Sequence, residues 1–131
     1  MDERKNNKKK GRSTIIIMKK IKEQKKEIYS KMLECFAAGV RLRREPIEFV
    51  EIPYHGTTLP ALFYRAPGEG RRPAMIHFDG FDVTKEWIHL CGISRELAAR
   101  GVSSLMVDHP GIGAALRLQG LAMNPETPSE L

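Results

Sequence analysis

Of the 131 residues, only Cys35 and Cys91 are cysteine. They are too few and too far apart for a disulfide scaffold or a CxxC zinc site. Aromatic side chains are sparse as well, at 7%, and none precedes Tyr29. Long hydrophobic runs are missing: the longest strongly apolar one is Ile15-Ile16-Ile17-Met18. A bilayer span needs roughly 18–20 residues, and the core of a secretory signal roughly 7–15. A soluble, cytoplasmic chain is therefore expected. No P-loop occurs, and Gly111-Ile112-Gly113 lacks the third glycine of a dinucleotide fingerprint. No internal repeat is present, and no cofactor is expected.

What is there supports one modest domain. The chain is 41% hydrophobic, which excludes wholesale disorder. The net charge of +6 is uneven. Residues 1–45 carry net +9, and residues 46–131 carry net −3. Residues 1–14 are almost wholly polar and are expected to be a disordered basic tail. Such a tail could meet nucleic acid or an anionic membrane. With no aromatic interleaved for base stacking, a solvated extension without a specific partner is the better reading.

Residues 15–45 are expected to be helical. Ile28, Met32, Cys35, Phe36, Gly39 and Val40 recur at spacings of three and four, one face of a 3.6-residue period. Pro46 pushes Glu45 out of the α region and stops the helix. The apolar stripe is expected to lie against the domain that follows.

After Pro46 the pattern becomes strand-like. Residues 47–52 and 59–66 read as an antiparallel hairpin around the turn Tyr54-His55-Gly56-Thr57. Pro60 suits a strand start or an edge. Residues 67–73 form a loop. Residues 74–78 read as a buried strand ended by Asp79-Gly80. A helix follows, capped by Asp82 or Thr84, with Trp87, Leu90, Cys91, Ser94, Leu97 and Ala98 as its apolar stripe. Arg100-Gly101 ends it. Residues 102–107 make another strand, closed by Asp108-His109-Pro110-Gly111. Strand, helix and strand at this spacing form a βαβ unit with a parallel pair. Residues 46–117 are thus the folded body, and residues 118–131 an irregular tail.

Three junction segments carry a resemblance. They are Val50 to Tyr54 with Gly56 to Pro60, then Asp79-Gly80-Phe81-Asp82-Val83-Thr84-Lys85-Glu86, then Asp108-His109-Pro110-Gly111-Ile112-Gly113. In this order they resemble the start of an α/β-hydrolase. The branch is that of hydrolases similar to 2,6-dihydroxypseudooxynicotine hydrolase and the fungal polyketide-shortening hydrolases, with related esterases. The resemblance covers about residues 28–127. It implies a partial α/β-hydrolase fold: N-terminal helix, β-hairpin, then β-α-β, without the C-terminal half of the sheet. It also implies serine-dependent hydrolysis of ester or C–C bonds.

By the same resemblance, the backbone N–H of Phe81 is the oxyanion-hole donor, and Gly80 and Asp82 lie on the substrate side. Gly80 reads equally as a turn residue, and Asp82 better as a helix cap. Ala114 stands where related sequences carry an acidic residue.

The chemistry needs a serine on a Gly-x-Ser-x-Gly elbow, with an acid and a histidine later in the chain. Gly92-Ile93-Ser94-Arg95-Glu96 and Gly101-Val102-Ser103-Ser104-Leu105 both lack the last glycine, so no nucleophile is assigned. The expectation is an N-terminal fragment, inactive alone, that meets a small ester or ketone substrate only with the missing half. Its third strand would have an uncovered edge, open to self-association. The alternative is a non-catalytic binding protein that uses the basic arm. His77, His89 and His109 with Asp79, Asp82 and Asp108 lack metal-ligand spacing, so no metal site is expected. Cys91 reads as a small buried hydrophobe.

Overall fold

A computed structural model describes residues 3–78, 80 and 82–123, with side chains from residue 13 onward. The tail residues 124–131 lie outside them. The chain divides into two compact units, residues 1–35 and residues 36–131.

The described residues of the first unit are all helical. Helix α1 runs Glu3–Arg43 and so begins well before residue 15. Residues 3–14, expected as a disordered tail, are helical. Lysine, arginine and glutamate are good helix formers, and propagation from a nucleated turn adds one hydrogen bond per residue.

The second unit holds the last part of α1 and all of the sheet. Strand β1 (Ile47–Tyr54) and β2 (Thr57–Tyr64) pair antiparallel, in register from Ile47 with Tyr64 to Tyr54 with Thr57. His55 and Gly56, at φ 40° and 75°, make the two-residue turn. Positive φ at both positions matches the right-handed twist of the flanking strands. Strand β3 (Ala74–Phe78), helices α2 (Lys85–Leu90) and α3 (Ile93–Ala99), strand β4 (Ser103–Val107) and helix α4 (Gly113–Arg117) complete the order. The sheet order is β1-β2-β4-β3, with β4 antiparallel to β2 and parallel to β3.

Both faces of the central strands are covered. Leu62, Tyr64 and Met106 pack with Ile88 and Ala98 of α2 and α3, and Phe36 of α1 joins this cluster. Leu59, Ala61 and Val107 pack with Ala115 of α4. Period-two alternation in β2 sends these two sets to opposite faces.

Three local expectations change. The single helix after β3 is two helices, broken at Cys91 and Gly92, where Gly92 takes φ 87°. Its expected stripe is not the buried face: Trp87 and Leu90 are 60% and 56% exposed, and Cys91 is exposed. The buried face is Lys85, Glu86, Ile88 and His89 of α2 and Ser94 and Ala98 of α3. Pro60 lies in an inner strand, not an edge. Its missing N–H is tolerated because the ladder to β4 begins at Ala61, while its carbonyl accepts from the Asp108 N–H at 3.0 Å.

Strand β3, expected to be buried, is one edge of the sheet, with β1 the other, and is mostly exposed. Met75, Ile76 and Phe78 are 47%, 56% and 52% exposed.

Candidate functional site

Because β3 and β4 run parallel, with Phe78 opposite Val107, the loops after them emerge at one end of the sheet. Ligands of open α/β sheets bind beyond the carboxyl ends of the strands. Both segments singled out in the sequence, 79–86 and 108–113, start here.

Asp108 organises this end. Its side chain has no exposure. Oδ1 accepts from the Lys85 backbone N–H at 2.9 Å, and Oδ2 accepts from the Lys85 ammonium at 2.7 Å and from the Ala114 N–H at 2.8 Å. One carboxylate thus receives the first free N–H of α2 and one from α4, as caps do. The Lys85 ammonium also lies 2.6 Å from Glu86 Oε1. Lys85, Glu86 and Asp108 are all buried. Charged groups are rarely buried unless paired, and these are paired with each other.

Sequence reasoning read segment 108–113 only as a turn and missed this clasp. The usable signal was the Lys85-Glu86 pair at a helix start, facing a strand-ending aspartate. Ala114 takes part through its backbone, so the lack of an acidic side chain there breaks nothing in the clasp.

Of the expected site residues, Gly80 and Asp82 are described. Gly80 is exposed, and its carbonyl accepts from the Val83 N–H at 3.4 Å. Asp82 is exposed and takes φ 69°, a left-handed conformation that favours glycine. It does not cap α2: Thr84 holds the N-cap position without a side-chain bond, and Asp108 supplies the acceptor. Phe81, the expected oxyanion donor, lies outside the described residues, as does Asp79.

A second polar chain lies elsewhere in residues 36–131. Ser94 Oγ is 2.8 Å from His89 Nδ1, and His89 Nε2 is 2.5 Å from Glu45 Oε2. Glu45 also meets Arg43 Nε at 2.8 Å and Arg95 Nη1 at 3.6 Å. Burial lowers the His89 pKa below its ordinary value, outweighing the opposing pull of Glu45, while Arg95 and Arg43 push the same way as burial. A neutral ring places its proton on Nε2, donating to Glu45, and Nδ1 accepts from the Ser94 hydroxyl. Tyr64 stacks on this imidazole at 5.7 Å, and its pKa is raised by burial and then by Glu45.

Serine, histidine and glutamate in a row suggest nucleophilic catalysis. Yet Ser94 has no exposure, so no substrate reaches its hydroxyl. The chain ties the segment after α1 to α2 and α3. Among the described residues no cluster of three histidine, cysteine or acidic side chains is arranged to hold a metal. Clefts of about 410 Å³ lie near Arg65, Ala66 and Gly68. One of them is also lined by Ala74 and Ser103, at the end of the sheet opposite the Asp108 clasp.

The strand order, the parallel β3 and β4 and the loops at their carboxyl ends agree with one known architecture. The structure is similar to the crystal structure of 2,6-dihydroxy-pseudo-oxynicotine hydrolase, with a TM-score of 0.59 and 25% sequence identity. This is a partial α/β-hydrolase fold. The match covers 67% of this chain and 24% of that one, so the chain spans about a quarter of the solved hydrolase. No family model matches the sequence, and no curated protein does. The likeness supports the α/β-hydrolase superfamily. Among the described residues, no helix is long and apolar enough to cross a membrane.

Proposed function

We propose that the chain supplies the N-terminal part of a serine-dependent α/β-hydrolase acting on small esters or C–C bonds of ketone-type substrates. The observation that carries this reading is the β1-β2-β4-β3 sheet, whose fold is similar to that of a solved hydrolase and whose two strand-end loops are held together by Asp108. In this reading the Phe81 backbone N–H faces the developing oxyanion, with Gly80 and Asp82 toward the substrate. A fixed amide aimed at growing negative charge needs no particular side chain.

The nucleophile, acid and histidine come from outside this chain, which is therefore inactive alone. Ser94, Ser103 and Ser104 are buried, and none lies on an elbow. The β3 edge is where the rest of a sheet would continue. The solved neighbour's name gives its own substrate; for this chain only the class is proposed.

Two experiments test the reading. The purified chain, treated with a fluorophosphonate probe and with p-nitrophenyl butyrate, is expected to show neither labelling nor turnover above buffer. A labelled serine in this chain would overturn the inactivity. Second, residues 36–117 are grafted in place of the matching segment of 2,6-dihydroxy-pseudo-oxynicotine hydrolase, and hydrolysis is measured. Phe81→Ala keeps the amide and should keep the rate. Phe81→Pro removes it and should lower kcat by about 10²–10³-fold. Equal rates for the two variants would remove Phe81 from the oxyanion hole.

A further inference from the structure

The first unit presents an apolar helix face in water. Ile17, Met18, Ile21 and Ile28 of α1 are 58%, 59%, 43% and 68% exposed. At about 100° per residue, these four fall on one side of the helix, and Met32 continues the same side. Ile15 and Ile16, also exposed, extend the apolar surface around the helix at its start.

The charges are sorted around that face. Lys22 and Lys26 line one border and Lys20 and Lys31 the other, Lys25 falls within the face, and Lys19, Glu23 and Glu27 fall on the far side. Lysines at the borders and acids opposite are the distribution of a helix that lies in a lipid interface. The long stems bury along the apolar layer, and the ammonium groups reach the headgroups. The stripe expected from the sequence starts at Ile28; of its later residues, Phe36 packs on the core and Val40 is buried, whereas Ile17, Met18 and Ile21 lie before it.

We propose that α1 docks, through Ile17, Met18, Ile21 and Ile28, onto the surface of an anionic membrane. The apolar face enters the headgroup boundary, and the bordering lysines meet negative lipid. Charge complementarity chooses this occupant. A second copy of the helix would bring lysines against lysines, and the apolar surface at Ile15 and Ile16 is wider than a seam, whereas at a lipid surface the long stem of Lys25 lets its ammonium reach the headgroups from within the face. Nucleic acid would satisfy the lysines and leave the isoleucines in water. The helix lies on the membrane and does not cross it.

The test is co-sedimentation of the full chain with vesicles of phosphatidylcholine, with or without phosphatidylserine. Binding to the serine-containing vesicles is expected to be at least about tenfold tighter and to weaken with salt. The double variant Ile21→Glu, Ile28→Glu should abolish it, and Lys20→Gln with Lys22→Gln, Lys26→Gln and Lys31→Gln should remove the preference for anionic lipid. These positions are exposed, and circular dichroism checks that the helix survives. No binding to phosphatidylserine vesicles, or binding indifferent to I21E/I28E, overturns the proposal. So does a dimer, seen without lipid, that I21E/I28E dissolves, since it makes a second copy the occupant. Retention of a DNA duplex that I21E/I28E leaves unchanged, in a chain that ignores vesicles, overturns it as well.

Discussion

The carboxylate of Asp108 occupies the space that a side chain on Gly113 would need. A Cβ at Gly113 would meet the Asp108 Oδ2, Cγ and Oδ1 atoms well inside van der Waals contact, and the residue has φ 48°. Glycine here lets the start of α4 close onto the acceptor that holds its Ala114 N–H. Gly113→Ala must therefore move the carboxylate or the helix, besides straining a left-handed backbone. The expected loss is about 1–3 kcal/mol, read as a lower urea midpoint with an unchanged slope. A variant as stable as the parent would mean that the clasp is looser than its geometry.

Lys85 is the counterpart. Its ammonium lies between Asp108 and Glu86, with all three side chains buried. Lys85→Met keeps most of the stem and removes the charge, leaving two carboxylates side by side. Breaking a buried pair from one side costs about 3–5 kcal/mol. The loss should shrink in the triple change Lys85→Met, Glu86→Gln, Asp108→Asn, which removes the stranded charges. An unfolding series by denaturant over the variants measures both.

These two residues also mark what the sequence could reveal. The hairpin and the βαβ order were legible because their signals are local: a shift from period 3.6 to period two after Pro46, and His55-Gly56 at the turn. The face of α2 was not. Trp87 and Leu90 look like core, and Lys85, Glu86 and His89 look like surface. Their burial depends on partners far along the chain, Asp108 and Glu45, which no local window contains. The early start of α1 was missed because self-repulsion of its lysines was weighed above their helix propensity. Of the expected site, Gly80 and Asp82 lie just beyond the carboxyl end of β3.

His89 links the fold to pH. Its folded pKa lies below the ordinary 6.5, chiefly through burial. The unfolded chain therefore takes up a proton at a pH where the folded chain resists one, and stability falls as pH drops through about 6.5. The groups around the ring are Glu45, Arg43, Arg95, Ser94 and Tyr64, with Phe36 edge-on. Thermal unfolding at about pH 7.5 and about pH 5.5 should show a lower midpoint at the acid value. His89→Gln should flatten that difference. An imidazole that titrates above 6.5 by NMR would reverse the sign and sink the assignment.

The exposed edge gives the last expectation. Strand β3 pairs with β4 on one side and offers Met75, Ile76 and Phe78 to solvent. Parallel strands normally have both faces covered, and a bare apolar edge templates pairing with another strand. The isolated chain should therefore self-associate as its concentration rises. Ile76→Lys puts a charge on a residue 56% exposed, a substitution the strand tolerates and a neighbouring strand does not. Sedimentation velocity should show the parent's mass rising with concentration and the variant's staying near one chain. Equal association of both would place the contact elsewhere. In the hydrolase reading the same strand edge is where strands from outside this chain would pair. A chain carrying Ile76→Lys should then fold alone yet fail to support hydrolysis in the graft, because further strands and the layer packed on them would bury the sheet face that carries its charge.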